Sequence, residues 1–284
     1  MSGSTVSRAV LLCSAALVGC FSQGTAARAE DVKTSPQGGK TTAAESEGWG
    51  GYVAAGAVAI PDYEGSKDYE AAPLIAGQVS YDNYYIELQG LEVKANVSPW
   101  RGIEFGPLVG LRSGRGDVEN DRVDALRDFD DSVEVGGFVK LSLYEVVHPS
   151  DELSFGMDVK TGTSSDGKGT AVSFGPSYSF SPLERLRLGV GVSATFADGD
   201  YADTYFSIDN ADAARSGLAA FDAEGGLKDI GISLDVGYQL TEHWGVMGFA
   251  GYTQLVGDAA DSPIVDDEGS AGQGIVGVGV TYRF

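Results

Sequence analysis

From Trp49 to Phe284 apolar side chains recur at every second position, and this alternation most narrows what the chain can fold into. Ile230, Ile232, Leu234, Val236, Tyr238 and Leu240 fall on one side of Gly231, Ser233, Asp235, Gly237 and Gln239. The same rule separates Val276, Val278, Val280, Tyr282 and Phe284 from Gly277, Gly279, Thr281 and Arg283, and Leu153, Phe155, Met157 and Val159 from Ser154, Gly156, Asp158 and Lys160. A period of two places successive side chains on opposite faces of a strand. Beyond the first thirty residues no apolar run reaches the length of a spanning helix, about 18 residues.

A soluble sandwich also alternates, with its apolar face turned inward. Three features favour a membrane instead. The periodic segments run about ten residues, enough for a tilted strand to cross a bilayer. Their polar side is rich in Gly and Ser, as a narrow lumen requires. The connectors alternate between short and long. Short ones fall at 81–83, 98–102, 146–151, 181–184 and 241–243, and long or acidic ones near 61–70, 115–131, 164–168, 199–226 and 257–271. The pattern predicts an all-β fold, a closed antiparallel transmembrane β-barrel of about twelve strands over residues 48–284. Its strands are 49–60, 72–81, 84–89, 91–98, 102–113, 132–145, 152–163, 169–180, 185–198, 227–240, 243–256 and 272–284. An even count puts every short turn on one side. That count depends on a tight turn at Gln89-Gly90; if 84–98 is a single strand the total is eleven and the orientation argument fails.

Residues 1–29 contain no acid, carry Arg8 before an apolar run from Ala9 to Phe21, and end in Ala27-Arg28-Ala29. This reads as a secretory signal peptide cleaved after Ala29. A competing site is Leu17-Val18-Gly19-Cys20, which would leave an acylated Cys20. Both cysteines, Cys13 and Cys20, lie in this segment, so the exported chain has no disulfide and is held by packing or by a closed hydrogen-bond ladder. Residues 30–47 have almost no large apolar side chain and read as a flexible leader. The whole chain has 19 Lys and Arg against 41 Asp and Glu, a formal charge of −22, which repels nucleic-acid phosphates.

Candidate chemistry is sparse. The two histidines, His148 and His243, sit in predicted turns on the periplasmic rim, and Ser150 and Asp151 near His148 are explained by turn geometry. Asp198, Asp200, Asp203, Asp258, Asp261, Asp266, Asp267 and Glu268 offer oxygen ligands to hard cations but lack the spacing of a calcium loop. Divalent ions shared with lipopolysaccharide phosphates would offset repulsion among these loops. No catalytic, cofactor-binding or metal-ligating residue is assigned, and the expectation is a non-enzymatic protein. Parity turns Glu87, Glu92, Glu104, Glu134, Asp158, Asp229 and Asp235 into the lumen with Lys94, Arg112, Lys140, Lys160, Arg185, Arg187 and Arg283. Seven against seven predicts cross-lumen pairing and no strong ion selectivity. The long segment 199–226 carries Tyr201, Tyr205, Phe206, Ile208, Leu218 and Phe221, and is expected to fold into the barrel mouth or to form a short helix near Ala211–Ser216. Trp49, Tyr52, Tyr81, Tyr84, Trp100, Tyr144, Tyr201 and Trp244 suit interfacial girdles.

Several segments carry a family resemblance: Pro61-Asp62-Tyr63-Glu64-Gly65-Ser66, ATFADGDYADTYFSI at 194–208, AARSGL at 213–218, GLKDIG at 226–231, GDAADSPIV at 257–265 and the terminal GVGVTYRF. Together they resemble the MipA/OmpV outer-membrane proteins over about Trp49–Phe284. The resemblance implies a barrel in a Gram-negative outer membrane, in contact with lipid and lipopolysaccharide. It also implies that Tyr282 and Phe284 form the C-terminal aromatic signal read by the barrel-assembly machinery. It implies a role as a scaffold linking periplasmic murein enzymes or, as in porin-like relatives, a narrow, weakly selective channel. The family supplies no catalytic motif.

Overall fold

The computed structural model describes residues 48–164 and 167–284; the expected signal peptide and leader lie outside the described residues. Twelve antiparallel strands close on themselves: β1 (Trp49–Pro61), β2 (Tyr69–Tyr81), β3 (Tyr84–Gln89), β4 (Glu92–Asn96), β5 (Ile103–Arg112), β6 (Ser132–Tyr144), β7 (Glu152–Gly162), β8 (Thr170–Leu183), β9 (Leu186–Ala197), β10 (Gly226–Gln239), β11 (Trp244–Leu255) and β12 (Gly272–Arg283). Each pairs with its chain neighbours, and β1 pairs with β12 to complete the ring. No helix among the described residues is long and apolar enough to cross a membrane. β3 and β4 are separate strands, joined at Gly90, whose φ of 57° suits a glycine in so tight a turn. The even count therefore holds.

The alternation decides which side chains face out. Val133, Val135, Ile230, Ile232, Leu234, Val276, Val278 and Val280 are all exposed, whereas inward neighbours such as Glu134 and Asp229 are buried. An apolar belt on the outside and a polar interior invert the order of a soluble protein. Only a solvent that is itself apolar makes that arrangement stable, and a closed ladder leaves no backbone group unpaired within it.

The interior has two unlike walls. Ala54, Val58 and Ile60 of β1, Ala72, Leu74 and Ala76 of β2, Met247 and Phe249 of β11 and Ile275 of β12 form one apolar cluster. The β3–β7 wall carries the charges. Small residues let the sheet bend sharply at β1, where β2 and β12 come within 8 Å of each other between Cα atoms. At Gly56, opposite Gly279, an added Cβ would lie 1.9 Å from the carbonyl oxygen of Val278, so only glycine fits.

Apart from the Gly90 turn between β3 and β4, the short connectors share one end with the start of β1 and the close of β12; here this is called the turn end. Aromatic rings gather there: Trp49 with Tyr81 at 5.3 Å between centroids, Trp100 with Phe105, and Trp244 edge-on to Tyr282 at 4.9 Å. Three residues depart from the predicted girdle. Tyr52 and Tyr144 have lumen-facing parity, and Tyr201 is buried, only 2% exposed, at the opposite end.

That opposite, loop end is covered by a lid. Its short helices are α1 (Asp121–Asp124), α2 (Gly199–Phe206), α3 (Asn210–Ser216), α4 (Asp258–Asp261) and α5 (Pro263–Asp266). The aspartates and asparagine of these acidic loops start them. Asp198 accepts the Tyr201 amide at 2.9 Å, Asp209 accepts that of Asp212 at 2.7 Å, and Asn120 accepts those of Arg122 and Val123. Gly217, with φ 72°, ends α3. Helix α3 sits where the sequence places a short helix, and the 199–226 apolar residues do fill the mouth.

Candidate functional site

Under the lid, Tyr201, Tyr205 and Phe206 of α2 pack with Ala171, Ala197, Ala223, Leu255 and Val265. Tyr63, Val123, Leu126, Ile208, Leu218 and Ile264 form a second cluster. Phe221 packs against both, and its backbone pairs with Ile208. The lid is therefore a small hydrophobic core outside the ring. Ser262 ties it together by donating to the Phe206 carbonyl at 2.7 Å, as do Arg122, bonded to Glu268 and to the Ser216 carbonyl at 3.3 Å, and Arg215, which donates to the Ala125 carbonyl at 3.2 Å.

A charged latch fastens this lid to the barrel. Glu64, in the β1–β2 loop, accepts the Tyr201 hydroxyl at 2.8 Å and pairs with Lys228 of β10; Lys228 also reaches Asp229 at 2.8 Å. The β9–β10 register shifts between Leu227 and Asp229, so Lys228 and Asp229 are both buried inward instead of alternating. Parity alone assigns only Asp229 to the lumen. Arg112 lies over the rings of Tyr201 and Tyr205, 4.4 and 5.2 Å from their centroids, and bonds Glu134 at 2.5 Å. Burial pushes the Glu64 carboxyl up, but Lys228, Arg112 and the Tyr201 hydroxyl outweigh it and hold the group below the usual range.

Below the latch the pairing continues down the lumen. Glu92 binds Lys94 and Lys160, each at 3.0 Å. Lys140 reaches Glu104 at 3.5 Å and Glu152 at 2.9 Å, Glu104 accepts the Tyr85 hydroxyl at 2.7 Å, and Glu152 faces Arg187 at 3.6 Å. The expected pairing across the interior is present in part: Lys160 with Glu92 and Arg187 with Glu152 skip intervening strands, whereas the other pairs join the same or neighbouring strands. Glu152 shares the lumen parity of Ser154 but is not in the expected set, Lys228 and Glu64 fall outside the alternation, and Arg185 and Arg283 lie exposed at the rim. Glu134, Asp158 and Glu87 are 2%, 3% and 4% exposed, so the interior between β3 and β7 is filled by its own side chains.

At the turn end one side chain organises the β6–β7 connection. Asp151 accepts the backbone amides of Val146, Val147 and His148 at 2.7, 2.8 and 2.8 Å and the Tyr178 hydroxyl at 2.9 Å. Burial raises its carboxyl, but these four donors prevail and lower it to about 2. His148 Nδ1 lies 2.8 Å from Ser150 Oγ, which donates to the Ser181 carbonyl and accepts the Ser181 amide, stapling two adjacent turns. Asp151 bonds the backbone of His148 and not its ring, so these three residues do not form a relay of nucleophile, base and orienting acid. His243, on a separate turn, faces the Arg283 carbonyl at 3.0 Å.

The loop acids serve as caps and ties. Asp258 accepts the Glu224 amide at 2.7 Å, and Glu268 holds Asn120 and Arg122. Among the described residues no three acidic, histidine or cysteine side chains converge as a metal site.

The chain is 32% identical over 102 residues to YiaT of Escherichia coli (strain K12), whose name places it provisionally in the outer membrane. It is 28% identical over 99 residues to the MltA-interacting protein of the same organism. These alignments cover 36% and 35% of this chain and 40% and 38% of the relatives, well under half of their length. Among solved structures, an outer membrane channel of Pseudomonas putida F1 matches at TM-score 0.45 and 12% identity, covering 85% of this chain and 97% of the other. The NanC porin matches at 0.42 and 9%, covering 81% and 98%. Residues 53–284 match the family described as MltA-interacting protein MipA, and with nearly the whole barrel inside that match the chain belongs to the MipA family of outer-membrane barrels.

Proposed function

We propose that this barrel is a non-catalytic scaffold in the outer membrane whose turn end faces the periplasm and docks murein-remodelling enzymes. The observation that carries the reading is an obstructed interior: paired charges fill the β3–β7 side of the lumen, and a lid with its own apolar core closes the loop end. A barrel so obstructed acts through its surfaces. The turn end offers rigid features, with Val147 83% exposed on the turn that Asp151 clamps, beside His148, Pro149, Glu184, Glu242 and His243. A relative's name, MltA-interacting protein, points to a murein enzyme as the kind of partner. Export would follow cleavage after Ala29, insertion would use Tyr282 and Phe284 as the assembly signal, and the acidic lid would face lipopolysaccharide.

Planar-bilayer conductance and crosslinking to purified MltA, both on the mature protein, test this together. Silent barrels that retain the enzyme are expected. Steady open conductance without retention would replace the scaffold with the channel reading.

A further inference from the structure

The loop-end lid contains a cation that its own residues leave incompletely satisfied. Arg115, between β5 and α1, is 4% exposed. Its Nη1 donates to the Tyr205 carbonyl at 3.2 Å, and its guanidinium lies 5.1 Å from the centroid of the Phe129 ring. Nε and Nη2, both buried, have no partner among the described residues. The Tyr63 hydroxyl is likewise buried beside Ser66 without a hydrogen bond of normal geometry, and the Ser113 hydroxyl two residues before Arg115 is also unpartnered. We propose that the lid holds a small monovalent anion, of the size of chloride, on the free N–H edge of Arg115 with the Tyr63 hydroxyl as a further donor.

A guanidinium has five N–H groups in a planar fork, and an unpaired buried donor costs about 1–3 kcal/mol, more when charged. The nearby acids do not relieve it. Asp212 is fully buried; its Oδ1 accepts the Arg127 amide at 2.8 Å and a bond from Arg215, and its Oδ2, 3.9 Å from Arg127 Nε, makes no hydrogen bond to Arg115 and has no hydrogen-bond partner among the described residues. Asp128 also faces Arg115, and Arg127 adds a second positive charge. Burial, then Arg127, bring the Arg115 guanidinium down to about 10, the direction expected of a cation short of counter-charge. A bound anion would supply that charge. Because Arg115 holds the carbonyl of Tyr205, whose ring lies under Arg112, occupancy would tighten the β5–β6 loop onto α2 and so favour the closed lid.

The test uses the mature protein in detergent, with bromide as the probe. Crystals soaked in bromide should show an anomalous peak in contact with Arg115. The temperature at which the lid becomes protease-sensitive should be higher in bromide than in gluconate at equal ionic strength, since gluconate is too large to enter. Arg115→Met should abolish that difference. Arg115→Lys keeps the charge without the fork, should raise the apparent Kd at least tenfold, and carries the test if the methionine variant does not fold. An ordered water bridging Arg115 to Asp212 in place of bromide, or equal midpoints in the two salts for the unsubstituted protein, overturns the proposal.

Discussion

The two ends of the barrel solve the same problem, closing off strand termini, by opposite means. The loop segments 62–68, 113–131, 163–169, 198–225 and 256–271 hold 23 acids against six bases; the turns at 82–83, 97–102, 145–151, 184–185 and 240–243 hold five against two. The loop end builds a second core from residues far apart in sequence: Tyr201 and Glu64 are 137 positions apart, Lys228 and Glu64 164. The turn end uses contacts within a few residues, such as Asp151 with the amides three to five positions before it. One end is therefore cooperative and the other modular. Damage to the lid should spread, whereas damage to a turn should stay local.

Tryptophan fluorescence and proteolysis separate the two ends, because Trp49, Trp100 and Trp244 belong to turn-end connections or strand termini while 199–225 belongs to the lid. The largest effect is expected for Lys228→Met, which leaves Glu64 and Asp229 facing each other without their shared cation. Breaking one side of a buried pair costs about 3–5 kcal/mol, read as urea destabilisation with early cleavage in 199–225. Adding Glu64→Gln should recover part of the loss; a double variant as unstable as the single would mean that the latch contributes nothing beyond side-chain volume. Next comes Ile264→Ala, at a fully buried lid position. It should cost about 2–5 kcal/mol and expose segments of other loops to protease, and cleavage confined to 263–266 would break the picture of a cooperative lid.

A smaller effect is expected at the turn end on acidification. The Asp151 carboxyl lies at about 2 when folded, below the ordinary 3.8, so the stability it lends is present above 3.8 and is lost as pH falls through 2. Amide exchange at Val146, Val147 and His148 should quicken over that window, and Asp151→Asn should remove the step. Smallest is Val147→Ser: exposed substitutions shift stability by within about 0.5 kcal/mol. Its effect should appear only as weaker retention of MltA, and unchanged retention would move the docking surface elsewhere on the rim.

The strands were legible because alternation is local and the membrane enforces it on every one of them. Eleven of the twelve strand starts fall within one residue of the expected positions, and β2 begins earlier, at Tyr69. Lumen charges were legible wherever parity holds. Lys228 is not, because a bulge is an exception to parity that no spacing announces; Glu152, with the parity of Ser154, is legible by the same rule although the expected set omits it. The lid resisted for a different reason. Tyr201, a girdle candidate by its place near a strand end, is a core residue because Glu64 and Lys228 reach it from distant segments, and contacts at that separation leave no periodic trace.

The pairing of β1 with β12 sets the order of events during biogenesis. On the edge of β1 away from β2, Tyr52 through Ala59 pair with Arg283 through Val276 of the last strand, so that edge stays unsatisfied until β12 is in place. A chain that has not yet brought β12 to β1 can be at most an open ribbon, exposed to wrong partners along both margins. The glycine pair at Gly56 and Gly279 marks where those margins must come together without a side chain in the way. Closure of this barrel therefore waits for its two terminal strands together, and a block at the β1–β12 seam would leave a nearly complete sheet that has no inside.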